Sequence, residues 1–147
     1  MKYEAMYPDD AATNRDYFSA PCDYDPILRA IGTIAFRVDD NDYQGDSRVL
    51  FRGADDRWGL LIFGWGSCSG CDALAGCNSP AEVEALAAQL AHDTRWSTKE
   101  EIGAYVCGHD WAGDYGWYSG ETRRFVREVA VILGVTLPDG LAADVVE

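Results

Sequence analysis

The sequence predicts an α+β domain: a small antiparallel sheet of about three strands within residues 31–65, followed by three helices packed on one face. Three observations carry that expectation. Runs of β-branched and aromatic residues separated by turn-formers fill the stretch 31–65. Capping signatures and apolar stripes at three-four spacing replace them after residue 79. A chain of 147 residues, 48% of them hydrophobic, is one domain's worth of protein with enough apolar surface to offset its chain entropy.

Residues 1–26 are rich in Asp, Tyr and Pro without a clean period, so they read as an irregular arm that packs Tyr3, Tyr7, Tyr17, Phe18 and Tyr24 onto the body. The strands follow as Ile31 to Val38, Ser47 to Arg52 and Arg57 to Trp65. Asp39-Asp40-Asn41-Asp42 closes the first and Gly53-Ala54-Asp55-Asp56 the second, both as solvated turns. Neither run supplies the bidentate glutamate of a calcium loop. In the second strand Val49 and Phe51 alternate with Arg48, Leu50 and Arg52, a pattern with one dry and one wet face. Trp58 to Phe63 is apolar almost throughout, as a central strand covered on both faces would be.

Ser79-Pro80-Ala81-Glu82 is an N-cap serine, a first-turn proline and a capping-box glutamate, predicting a helix from Pro80 to about Ala91 with Val83, Leu86, Ala87 and Leu90 inward. His92 at its end suits the negative pole of the helix. Ser97-Thr98-Lys99-Glu100 opens a second helix to Val106 that buries Ile102, Tyr105 and Val106 and stops at Gly108. A third runs from Gly120 to Leu133, with Phe125, Val129 and Ile132 or Leu133 inward and Gly134 as its terminator. Residues 138–147 read as a loose tail, and residues 1–147 as a single domain.

Charge and topology narrow the function classes. Twenty-five acids against 12 Lys and Arg give a net charge of −13, which disfavours direct nucleic-acid binding and favours a partner with a basic surface. The start of the chain shows no secretory pattern, and the longest apolar run, Gly59 to Gly66, is far below the ~20 residues of a membrane span. A cytosolic location is the expectation, with no membrane partner. There, five cysteines point to buried thiols, a metal site or redox chemistry more than to a disulfide framework.

Chemistry concentrates in Gly64-Trp65-Gly66-Ser67-Cys68-Ser69-Gly70-Cys71-Asp72-Ala73-Leu74-Ala75-Gly76-Cys77. Cys68 and Cys71 can offer two thiolates to one ion from a glycine-rich turn, and one helical turn over 72–76 would swing Cys77 back to them. Cys107 or His109 would complete a tetrahedral zinc site, with Asp110 behind it. The bland reading treats these as small residues beneath a packed helix.

A redox reading has its own form. A strand ending in Trp65 and followed closely by paired cysteines resembles, over about seven residues, the active-site turn of thioredoxin. Asn78-Ser79-Pro80 would interrupt a helix begun at Cys71, and no later strand, turn-proline and strand complete that fold.

The loop from His109 to Tyr118 interleaves aromatics with acids and glycines. Trp111, Tyr115, Trp117 and Tyr118 would either roof the core or anchor a partner. His109 beside Asp110 could orient a base, and Ser67 and Cys68 are nucleophiles without a G-x-S-x-G context, so no catalytic residue is assigned and no enzyme class is read.

The segments Asp42 to Leu50 and Phe63 to Leu74, with the GWGSCSGCDAL motif, then His109-Asp110-Trp111 and Gly113-Asp114-Tyr115, resemble a family of small, mostly uncharacterised bacteriophage proteins over roughly residues 42–118. The resemblance implies a viral accessory protein in the host cytosol and brings no established chemistry. With the charge, it gives the leading expectation: an acidic binding or inhibitory module, needing no cofactor, that occupies a basic surface on a host protein. The alternative is a zinc-binding or thiol-redox protein using Cys68, Cys71 and Cys77.

Overall fold

The computed structural model describes residues 1–9, 18–115 and 120–142. Its element order is α1 (Tyr3–Met6), α2 (Asp25–Ile31), β1 (Thr33–Asp39), β2 (Gly45–Arg52), β3 (Arg57–Trp65), α3 (Pro80–Asp93), β4 (Arg95–Thr98), α4 (Lys99–Gly108), α5 (Trp111–Tyr115), α6 (Glu121–Leu133) and α7 (Asp139–Ala142). The four strands form one antiparallel sheet in the order β1-β2-β3-β4. The α+β class is therefore shown, with one strand more than expected.

The helices do not lie on one face. Side chains of β2 and β3 alternate between two separate cores. Val49, Phe51, Leu61 and Phe63 join α1, α2 and α3 in the first, whereas Leu50, Trp58 and Leu60 join α4, α5 and α6 in the second. A helical layer covers each side. Of the wet face expected for β2 only Arg52 is exposed, and Arg48 and Leu50 are buried. The apolar run in β3 was the truer signal, because only a strand covered on both sides needs it.

β1 serves both cores through one irregularity. Ile34 lies opposite Phe51 and Phe36 opposite Leu50, so the register shifts between them and Ala35 is the extra residue of a bulge. Ile34 consequently packs on the first core, Phe36 and Val38 on the second. The β2–β3 turn has Asp55 and Asp56 at φ 57° and 58°, with Arg57 N–H donating to Ala54 O at 3.2 Å, the two left-handed central residues of a type I′ hairpin.

Besides the single turns α1 and α7, three elements escaped the sequence reading. α2 lies across the end of the expected arm and the start of the expected first strand, and Asp25-Pro26 is its helix start with proline in the first turn. It buries Ile27 and Leu28 completely and delays β1 to Thr33. β4 is too short for a periodic signal. Trp96 drives its pairing with β3 by lying across Gly59, where a Cβ would stand 3.0 Å from the indole. The third is α5, in the aromatic loop. The arm itself is moored as expected for Tyr3, Tyr7 and Tyr24, which are buried, while Tyr17 lies outside the described residues.

The remaining helices follow their caps. Ser79 Oγ accepts from Glu82 N–H at 3.2 Å. α4 is capped one residue later than Ser97 would have it, by Thr98 accepting from Glu101 N–H at 3.2 Å. α6 ends at Gly134, left-handed at φ 70°. Of the tail, α7 is ordered into one turn with Leu141 against the second core, and residues 143–147 lie outside the described part.

Candidate functional site

The cysteine-rich turn leaves β3 at Trp65 and reaches α3 at Pro80, and a buried carboxylate organises it. Asp72 Oδ1 accepts from the Tyr24 hydroxyl at 2.8 Å and from Gly66 N–H at 3.1 Å, while Oδ2 accepts from Ala75 N–H at 2.9 Å. The Tyr24 hydroxyl oxygen in turn accepts from Leu74 N–H at 3.2 Å. Asp72 thus ties Gly66 to Ala75 across the turn, and one side chain from the arm holds Asp72 and Leu74. Burial pushes the Tyr24 phenol well above its ordinary range, and the neighbouring Asp72 adds to this while the Leu74 N–H opposes it. The hydroxyl therefore keeps its proton and remains the donor to Asp72.

On this frame Cys68 and Cys71 are bonded as a disulfide, with Cα atoms 5.3 Å apart, both residues exposed. Cys71 N–H and Asp72 N–H donate to Cys68 O at 3.1 and 2.9 Å, and Cys68 N–H points at Cys71 Sγ at 2.9 Å. Gly66 lies beneath them. A Cβ there would come within 2.6 Å of Cys71 O and 2.8 Å of its Sγ, so only glycine lets the sulfur sit against the backbone.

The turn over 72–76 forms, with Gly76 N–H donating to Asp72 O at 2.9 Å, but it does not deliver Cys77 to the pair. Cys77 is buried in the first core and its Sγ donates to Ala73 O at 3.3 Å. Burial pushes its thiol up, and the carboxylates of Glu82 and Asp72 push the same way, which opposes the thiolate that a zinc ligand must be. Cys107 lies on α4, whose core is on the other side of the sheet, and its Sγ donates to Thr136 O at 3.5 Å. His109 Nε2 pairs with Asp114 at 2.8 Å and its ring lies edge-on to Trp111, rather than turning to Asp110. Among the described residues, no three His, Cys, Asp or Glu side chains gather where they could hold a metal ion. The structure brings together Cys68 and Cys71, and separates Cys77, Cys107 and His109 from them.

No helix starts at either paired cysteine; the next one begins at Pro80. The thioredoxin-like helix terminus is therefore missing, and a single amide of the turn, Cys68 N–H, faces the Cys71 sulfur instead. Of the four aromatic anchors, Trp111 is wholly buried and its Nε1–H donates to Val106 O at 2.8 Å, so it roofs the second core. Trp117 and Tyr118 lie outside the described residues, as does the side chain of Tyr115. His92 is exposed in the last turn of α3. Sequence reasoning missed Tyr24 and Asp72 as the residues that shape the turn, because they are 48 positions apart: Asp72 stands inside the GWGSCSGCDAL motif, but nothing local links it to Tyr24.

No family model matches the sequence, and no curated protein or solved structure is similar to it. No helix among the described residues is long and apolar enough to cross a membrane.

Proposed function

We propose that this protein is a dithiol–disulfide protein whose working part is the Cys68–Cys71 pair. The single observation behind this reading is an exposed pair of bonded cysteines on a turn held by Asp72 and Tyr24. A three-residue separation closes too small a loop to restrain the unfolded chain as a long-loop disulfide does. Its value is therefore chemical. In a reducing cytosol such a bond is transient and redox-active. The reaction is exchange with a partner dithiol or disulfide: one thiolate attacks the partner's disulfide and releases a partner thiolate, then the second attacks the mixed disulfide and releases the other. Two electrons and two protons leave the pair for the partner. The turn contributes positioning, because Asp72, accepting from Gly66 N–H and Ala75 N–H, holds both while the sulfurs change partners.

The test is a thiol count on the folded full chain. Oxidised protein should show three free thiols, Cys22, Cys77 and Cys107, and reduced protein five. Exposed Cys22 should be alkylated first of the three and buried Cys77 last. Cys68→Ser should remove the difference of two. A wild-type count that stays at five through oxidation, or about one zinc per chain protecting the pair until a chelator is added, would replace the redox reading with the thiol or metal one.

A second reading rests on the β1–β2 loop, where Tyr43 is 68% exposed beside exposed Asp39 and Asp42. An acidic tip with an aromatic anchor fits the expected docking onto a basic host surface. Tyr43→Ala should then weaken capture of a basic host protein, and added salt should weaken it further.

A further inference from the structure

The residues that lead into α2 enclose, with β2 and the cysteine turn, a cavity of about 160 Å³ whose walls include Cys22, Asp23, Ser47 and Asp72. It is several times the ~30 Å³ share of one water and below the ~300 Å³ of a drug-sized site, room for a chain of about four heavy atoms. Two observations mark it as a place for an occupant. Ser47, 1% exposed on β2 between Asp39 and Phe63 of its neighbour strands, has a hydroxyl without a hydrogen-bond partner. Such a group costs free energy unless something enters the cavity to meet it. Cys22 is a free, exposed thiol on the same cavity, so a group joined to its sulfur can lie inside.

The remaining walls decide what that group carries. Arg37 and Asp39 satisfy one another at 2.9 Å, and Arg37 Nη1 turns to Asp25 at 3.6 Å. Two carboxylates are left to face an occupant. Asp23 accepts from Asp25 N–H at 2.9 Å through Oδ1, and Asp72 Oδ2 accepts from Ala75 N–H, so each carboxylate keeps an oxygen with room for a further donor. An ammonium brings three donors and the opposite charge.

From this juxtaposition we infer that Cys22 is a modification site: it takes a small aminothiol as a mixed disulfide, with the ammonium in the cavity against Ser47 Oγ, Asp72 and Asp23. The co-reactant is a low-molecular-weight diamino disulfide. The Cys22 thiolate attacks one of its sulfurs, the small S–S bond breaks, and one aminothiol leaves as thiolate and takes up the proton that Cys22 gave. Cys22 is oxidised and half of the small disulfide is reduced. The Cys68–Cys71 pair takes no part, so this site stands or falls apart from the dithiol reading.

The experiment equilibrates the folded full chain with cystamine and cysteamine and, separately, with diethyl disulfide and ethanethiol, which end in a methyl where the others carry the ammonium. Peptide mapping by mass spectrometry reads the fraction of Cys22 holding each adduct, and hence the exchange constant of each. The cystamine constant should be the higher of the two. Ser47→Ala should lower it by roughly fivefold to tenfold, the effect of one lost polar contact, and leave the ethyl constant unmoved. Asp23→Asn, which keeps the oxygen that accepts from Asp25 N–H, should lower it by roughly twofold to fivefold, as for an exposed ion pair. The net charge of −13 draws a cation toward every cysteine, but Ser47→Ala leaves that charge as it is. A cystamine constant no higher than the ethyl one overturns the site, and so does one that neither substitution moves.

Discussion

At the level of single residues, Gly66 and Asp72 do more to shape the cysteine turn than the cysteines themselves. Gly66→Ala would drive a methyl into Cys71 O and Sγ, and the backbone oxygen cannot swing aside as a side chain would. Overpacking of this kind costs about 1–3 kcal/mol. Because the collision includes the sulfur, the variant should also resist closing the pair. Urea denaturation measures the first effect and a thiol count after mild oxidation the second: wild type should lose two free thiols, and Gly66→Ala fewer. The three-residue separation of Cys68 and Cys71 and the glycines around them, Gly64, Gly66 and Gly70, were legible in the sequence. The carboxylate beneath them was not, because Asp72 reads as one more acid in a chain of 25 acids until Tyr24 arrives from 48 residues away.

Among the elements, the β1–β2 hairpin depends on a buried cation. Arg48 is 1% exposed on the face of β2 that meets α6, where its Nε donates to Thr122 Oγ1 at 3.1 Å and its Nη1 to Asp40 Oδ1 at 2.8 Å. Asp40 closes the loop by accepting from Asp46 N–H at 2.8 Å through Oδ2. Arg48→Ala should cost about 3 kcal/mol, the lower end for breaking a buried pair, since Asp40 retains some access to water. Chemical denaturation of the variant, with amide exchange rising first in residues 40–46, would check it. An arginine in a strand reads from sequence as a solvated face, which is why β2 was expected to have one; only the placement of α6 reveals the second layer. Caps and β-branched runs located five of the larger elements within a few residues, because those signals are local. α2 and β4 were hidden for opposite reasons, one lying in a segment without period and the other shorter than any period.

For the molecule as a whole, 25 acids against 12 basic side chains set a field that repels itself. Exposed pairs such as Arg29–Asp25 and Arg52–Asp56 offset little of it, being screened and mobile. Added salt should therefore raise the thermal midpoint at pH 7, an outcome opposite to that of a fold held by surface ion pairs, and a salt series by calorimetry decides between them. Two cores on either side of one sheet explain why the three capped or striped helices α3, α4 and α6 were legible while their arrangement was not. Each stripe announces that a helix is buried, and none announces against which side.

The bulge in β1 carries a last consequence, for lengths of chain rather than for chemistry. Ala35 is exposed and supernumerary, and without it Ile34 and Phe36 would still stand opposite Phe51 and Leu50, now in an unbroken ladder. A one-codon deletion at this position should leave a folded protein with unchanged amide–amide contacts between β1 and β2 by NMR. The same deletion at Arg37 would transpose Phe36 or Val38 into the opposite layer, so tolerance of shortening within this strand should be confined to a single site.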